Sequence, residues 1–177
     1  MSLNRVMAKP TFFTFLLMSL LSSILSGSDA VRVGSPAPAL TVTLQDGSSV
    51  DLSDAYAAGP TLLFFYPKAD TPGCTAQACN LRDNWADVQA AGIQVFGVST
   101  DGVDSQARFQ EKYELPFALI ADRNRAVGKA YGVSGMAFHR RSAFLIVDGK
   151  VAWADLNASP STQSQDVLAA MAALSPS

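Results

Sequence analysis

Histidine is all but missing from this sequence. His139 is the single one among 177 residues, and only two cysteines accompany it. That is too few ligands for a zinc or haem site, so no metal or haem is expected. Charge is also sparse, with 16% Asp, Glu, Lys and Arg and a formal net charge of −2. Such mild acidity argues against a nucleic-acid partner. No internal repeat, heptad pattern or long charged tract occurs, which leaves no basis for a solenoid or a coiled coil. One long apolar stretch exists, residues 12–25. At 14 residues it is short of the about 20 needed to cross a bilayer.

That stretch reads instead as the core of a leader. Arg5 and Lys9 precede it, with no acidic residue among the first ten. Ser28-Asp29-Ala30 then puts small residues at the two positions a signal peptidase reads, and Ser26-Gly27-Ser28 offers a second site. Residues 1–30 are expected to be a cleavable secretory signal, with an uncleaved anchor as the alternative. No cysteine lies near enough for a lipoprotein anchor. Residues 31–177 then suffice for one domain. That domain is expected to be exported and monomeric, with no stable membrane association. The periplasm or thylakoid lumen is the expected compartment, with the extracellular space open.

The most informative segment surrounds the cysteines. Thr61-Leu62-Leu63-Phe64-Phe65-Tyr66, bounded by Gly59-Pro60 and Pro67, reads as a buried strand. Thr71 can cap the next helix, and Pro72 suits its first position. Cys74 then falls at about the third helical residue, where the N–H groups lack intrahelical partners and the macrodipole is positive. Both favour the nucleophilic thiolate. The helix is expected to run through Trp85 and Val88 to about Ala91, with Ala78, Leu81, Trp85 and Val88 on the core stripe.

Cys79 lies off that stripe. In an ideal helix its Cα would stand about 8.7 Å from that of Cys74, whereas unstrained disulfides span less than about 7 Å. A bond between them requires the first turns to unwind, which suits a transient disulfide better than a staple. Two cysteines in a secreted chain more often form a structural bridge. The helix-start position, the short spacing and the Pro67 and Thr71 context point the other way.

The rest of the chain alternates strand and helix. Residues 40–44 and 50–52 flank Asp46-Gly47, a hairpin signal. A strand at 93–99, a helix at 103–113, a strand at 117–121 and a short helix at 122–131 follow. Residues 143–147 and 151–154 flank Asp148-Gly149 as a second hairpin, and an Ala-rich helix closes the domain at 162–174. The fold expected is α/β, a mixed sheet with helices on both faces.

The stretch Phe65-Tyr66-Pro67-Lys68-Ala69-Asp70-Thr71-Pro72-Gly73-Cys74-Thr75-Ala76-Gln77-Ala78-Cys79 resembles the peroxiredoxins, within them the peroxiredoxin Q or bacterioferritin-comigratory subgroup. Gly97-Val98-Ser99-Thr100-Asp101, Ala130-Tyr131-Gly132-Val133 and Arg141-Ser142-Ala143-Phe144-Leu145-Ile146 resemble it too, in compatible order over about residues 33–157. The resemblance implies a thioredoxin-like fold with an N-terminal β-hairpin. It implies a peroxidase in which Cys74 attacks peroxide and becomes a sulfenic acid. Thr71 would offer its hydroxyl, Pro67 would shape and shield the pocket, and Arg141 would stabilise the charge. Cys79 would resolve the sulfenic acid as an intramolecular disulfide. Thioredoxin or a similar dithiol would then reduce that bond by exchange.

Other readings accompany these. Arg140 adjoins Arg141, and strand alternation would send the two to opposite faces. Thr71-Pro72-Gly73 is ordinarily a plain turn. His139 reads as a loop residue with no special role. Trp85 and the Phe64-Phe65-Tyr66 cluster read as core. An exported thiol–disulfide oxidoreductase acting on proteins is the alternative activity, though it would ordinarily show Cys-x-x-Cys. A non-enzymatic binding domain with a structural disulfide is the other.

Overall fold

A computed structural model describes residues 30–174. The expected signal segment, residues 1–30, lies outside these but for Ala30, as does the tail beyond Leu174. The chain opens with a hairpin of β1 (Thr41–Thr43) and β2 (Ser49–Asp51), paired antiparallel with Thr41 opposite Asp51. Gly47 takes a φ of 82° in the turn, a conformation that favours glycine.

The core sheet has β3 (Thr61–Phe65) at its centre, and every residue of β3 is buried. Parallel to it runs β4 (Gln94–Ser99), and beyond that β5 (Ala118–Ala121). On its other side β6 (Ser142–Val147) and β7 (Lys150–Asp155) continue the sheet antiparallel. Asp148 and Gly149 join them with φ values of 51° and 69°, the backbone a tight hairpin turn demands.

Alternation along β3 divides the core. Leu62, Phe64 and Tyr66 face a cluster with Ala78, Leu81, Val88, Phe109 and Val167. Leu63 and Phe65 face a second cluster with Leu52, Tyr56, Val98, Tyr131 and Phe144. The first side is covered by α2 (Pro72–Asp83), α3 (Trp85–Ala90), α4 (Val103–Lys112) and α6 (Gln163–Leu174). The second is covered by α1 (Leu52–Ala58) and α5 (Ala126–Ala130). Each fully buried Leu or Phe contributes about 1.5–3 kcal/mol, so the α/β layering rests on these two clusters.

Two expectations are corrected here, and one helix is new. The single helix to Ala91 is two helices, broken at Asn84, whose φ and ψ are −109° and 23°. The Asn84 side chain donates to the Asn80 carbonyl at 2.8 Å, competing with the helical ladder. The short helix expected over 122–131 begins only at Ala126, because Asp122 turns back to accept from Val127 N and Gly128 N. Helix α1 was not expected at all; Asp51 caps it, accepting from Ser53 N at 2.8 Å.

Candidate active site

The site is built where β3 hands over to α2. Tyr66 N still donates to Val98 O at 3.0 Å, so the chain leaves the sheet only at Pro67. The loop that follows is tied down on two sides. Ala69 N donates to Asp101 Oδ2 at 2.8 Å. Asp70, left-handed at φ 58°, accepts from Lys112 Nζ at 2.8 Å and from Tyr113 Oη at 2.7 Å. The Lys112 and Tyr113 donors hold the Asp70 carboxyl below its ordinary range. Thr71 follows in extended conformation as the residue preceding α2, and Pro72 opens the helix. The Thr71 hydroxyl does not cap the helix as expected. It donates to Lys68 O at 2.9 Å instead, which leaves its lone pairs free to accept from a bound molecule.

Cys74 therefore occupies the first turn of α2 and is 1% exposed. Arg141 reaches it from the sheet. Ser142 of β6 pairs with Phe65 at the end of β3, which sets Arg141 beside the departing loop. Its Nη2 stands 3.5 Å from Cys74 Sγ. Its Nη1 donates to Gln77 Oε1 at 2.5 Å and to Gly73 O at 3.4 Å. Gly73 leaves room for this approach, since a Cβ there would lie 3.1 Å from Arg141 Nη2. Arg140 turns away to solvent and donates to Gly132 O at 2.8 Å. Of the two arginines, Arg141 is the one that lies beside the sulfur.

Cys79 is half-buried, and both cysteines are free. Burial pushes the Cys79 thiol up, with Arg82 opposing and Asp83 adding to the rise. The structure thus brings Cys74 and Arg141 into contact and places Thr71 and Pro67 on the loop leading to them. Cys79 lies farther along the same helix.

Sequence reasoning missed several contributors. Gln77 is fully buried between Arg141 and Gln163, donating to Gln163 Oε1 at 2.8 Å. A glutamine in the apolar neighbourhood one turn beyond Cys74 was the available signal. Tyr66 donates to Gln106, which reaches Ser99 Oγ at 3.0 Å, and Ser99 reaches Asp101 at 2.7 Å. That network runs back to Ala69 in the active loop. His139 is not an idle loop residue. It is 2% exposed, with Nε2 at 3.0 Å from Asp122 Oδ2 and its ring edge-on to Phe65 at 5.6 Å. It anchors the segment that delivers Arg141. Trp85 is half-buried and packs on Phe117 at 5.8 Å.

A buried sulfur at a helix start, with a guanidinium beside it, is arranged to stabilise the negative charge that develops on a departing oxygen. Comparison with known proteins agrees. The sequence profile of the AhpC/TSA family matches residues 33–154. Peroxiredoxin Bcp of Escherichia coli (strain K12) is 40% identical over 130 residues, covering 68% of this chain and 83% of that one. The crystal structure of peroxidoxin BcpB from Mycobacterium tuberculosis superposes with a TM-score of 0.77 at 30% identity, covering 82% of this chain and 99% of that one. Peroxiredoxin Q of Xanthomonas campestris gives 0.74 at 27% identity, covering 84% and 99%. With a thioredoxin-like sheet, a buried helix-start cysteine and these relatives, the chain belongs to the AhpC/TSA family as a peroxiredoxin of the Bcp and peroxiredoxin Q kind, a thiol-dependent peroxidase.

Proposed function

We propose that Cys74 is the peroxidatic thiol and Cys79 the resolving thiol of an exported, monomeric two-cysteine enzyme that reduces hydrogen peroxide and organic hydroperoxides. The observation that carries the reading is the Arg141 Nη2 to Cys74 Sγ contact at 3.5 Å, on a sulfur that is 1% exposed. The Cys74 thiolate attacks one peroxide oxygen, the O–O bond breaks, and water or an alcohol leaves once protonated. Arg141 spreads its charge over the sulfur and the departing oxygen. Thr71, its proton engaged by Lys68 O, accepts a hydrogen bond from the peroxide. Pro67 lines the loop and limits water. The Cys74 sulfenic acid then condenses with the Cys79 thiol, giving a disulfide and water. Thioredoxin or a thioredoxin-like dithiol reduces that bond, and its two hydrogens restore both thiols.

The mature chain should consume peroxide repeatedly only when a dithiol donor is supplied. Cys79→Ser should complete one fast turnover and then accumulate sulfenic or sulfinic acid. Normal steady-state cycling by Cys79→Ser with a dithiol donor would remove the resolving role. Reduction of protein disulfides without peroxide consumption would favour the oxidoreductase alternative. Export rests on the leader pattern of residues 1–30. Protein secreted by the native host should begin near Val31, whereas a full-length cytosolic chain would refute export.

A further inference from the structure

We propose that Asn80 is a positioning residue for the resolving step. It is a latch that fastens the Cys79 turn of α2 to α6 and so sets the lifetime of the Cys74 sulfenic acid. This rests on the two-cysteine cycle proposed above. The cysteines stand five positions apart on the helix, about 8.7 Å between Cα atoms, and a disulfide closes only below about 7 Å. The segment between them has to unwind, so whatever holds Cys79 in the helix governs how fast the bond forms.

Asn80, the next residue, makes the strongest set of such holds. Its Oδ1 accepts from Ser164 N at 2.7 Å, and its Nδ2 donates to Ser161 O at 2.9 Å and to Gln165 Oε1 at 3.3 Å. Ser164 lies in the first turn of α6, where backbone N–H groups have no intrahelical partner. Asn80 therefore caps α6 from another helix. Its own carbonyl accepts from Asn84 Nδ2 at 2.8 Å, which fixes it toward the end of α2 as well. Cys79 moves toward Cys74 only by dragging Asn80 off these partners or by straining the peptide that joins them. Gln77 also grips α6, through Gln163, but it holds Arg141 too and so serves the peroxide step. None of the hydrogen bonds of Asn80 involves Cys74 or Arg141.

Two fates compete for the sulfenic acid. Condensation with the Cys79 thiol gives the disulfide and water. Attack on a second peroxide gives the sulfinic acid and water or an alcohol. The latch retards the first and leaves the second alone. It thereby sets the peroxide concentration at which the enzyme overoxidises.

The test is single-turnover oxidation of the reduced mature chain, with dimedone trapping and intact mass, on native protein, Asn80→Ala, Asn80→Asp and Gln165→Ala. The Asn80 side chain makes three hydrogen bonds, each partly exposed and worth about twofold. Asn80→Ala should therefore speed disulfide formation by about tenfold. The peroxide needed for half-overoxidation should rise by the same factor, with sulfenic acid formation within about twofold of native. A merely structural loss would slow both steps. Asn80→Asp keeps the acceptor for Ser164 N and should return the rate toward native. Gln165→Ala removes one contact and should give about a twofold rise. Native resolution rates in both Asn80→Ala and Gln165→Ala, or a slowing of both steps alike, overturn the latch. If the native chain forms no Cys74–Cys79 disulfide, the two-cysteine cycle fails and the latch with it. A native disulfide formed at a rate indifferent to Asn80 leaves the cycle standing and removes the latch alone.

Discussion

Replacing Arg141 by alanine takes from the site the one cation, among the described residues, recorded in contact with the reactive sulfur. The guanidinium sits 3.5 Å from Cys74 Sγ and is held there by Gln77 and the Gly73 carbonyl. It is pre-positioned, so its stabilisation of charge comes without reorganisation at the moment of reaction. Loss of one such donor costs about 10²–10³ in rate, or about 2.7–4 kcal/mol. The expected result is a fall of that size in the second-order rate of Cys74 oxidation, read by stopped-flow fluorescence or by competition for limiting peroxide. Arg141→Lys should recover only part of it, because an ammonium is a point charge that lacks the planar fork. It cannot meet Sγ and Gln77 together in that way. Arg140→Ala removes a partly buried contact to Gly132 O that does not involve Cys74 and should change the rate by no more than about twofold. A fall of less than tenfold in Arg141→Ala, or a larger fall in Arg140→Ala, would refute the assignment.

Three further outcomes are expected. Gly73→Ala would place a Cβ 3.1 Å from Arg141 Nη2, pushing the guanidinium back by a few tenths of an ångström; peroxide oxidation should slow by about threefold with the melting temperature nearly unchanged, and a native rate would contradict this. Gly128→Ala would put a Cβ 2.1 Å from His139 Cε1 in a packed interior, so thermal melting should show a loss of about 1–3 kcal/mol; an unchanged melt would contradict the buried placement of His139. Burial raises the Cys79 thiol above its ordinary value, so intact α2 favours the neutral form and the unwound segment ionises first. Rising pH through the ordinary cysteine range should thus weaken α2 and supply the attacking thiolate, speeding resolution. A flat pH profile for disulfide formation would contradict it.

The parts of the fold that the sequence announces are those set by local chemistry. The apolar run at Thr61, the Thr71-Pro72-Gly73 helix entry and the Asp148-Gly149 turn each act over a few residues, and each stands where it was expected. Helix α1 carried a local signal, Asp51 before Ser53, but at seven residues it is too short for periodicity to show. The break at Asn84 depends on a side chain choosing a backbone carbonyl one turn back, a choice that composition does not reveal. What remained illegible is long-range. His139 finds Asp122, Gln77 finds Gln163 and Asn80 finds Ser164 only once β6 and α6 have packed. Such pairings arise from the tertiary fold and leave no local pattern. Arg141 is the intermediate case, since its contact with Cys74 spans 67 positions and was anticipated through resemblance alone.

The most direct measurement is peroxide consumption by the reduced protein, without external thiol, set beside Cys74→Ser. A hydroxyl is far less ionised and less nucleophilic than a thiol at neutral pH. The native chain should consume about one equivalent of peroxide and lose two hydrogens in intact mass, mapping to a Cys74–Cys79 disulfide. Cys74→Ser should consume essentially none and keep its mass while folding normally. Near-native peroxide consumption by Cys74→Ser would contradict the assignment of Cys74 as the attacking thiol.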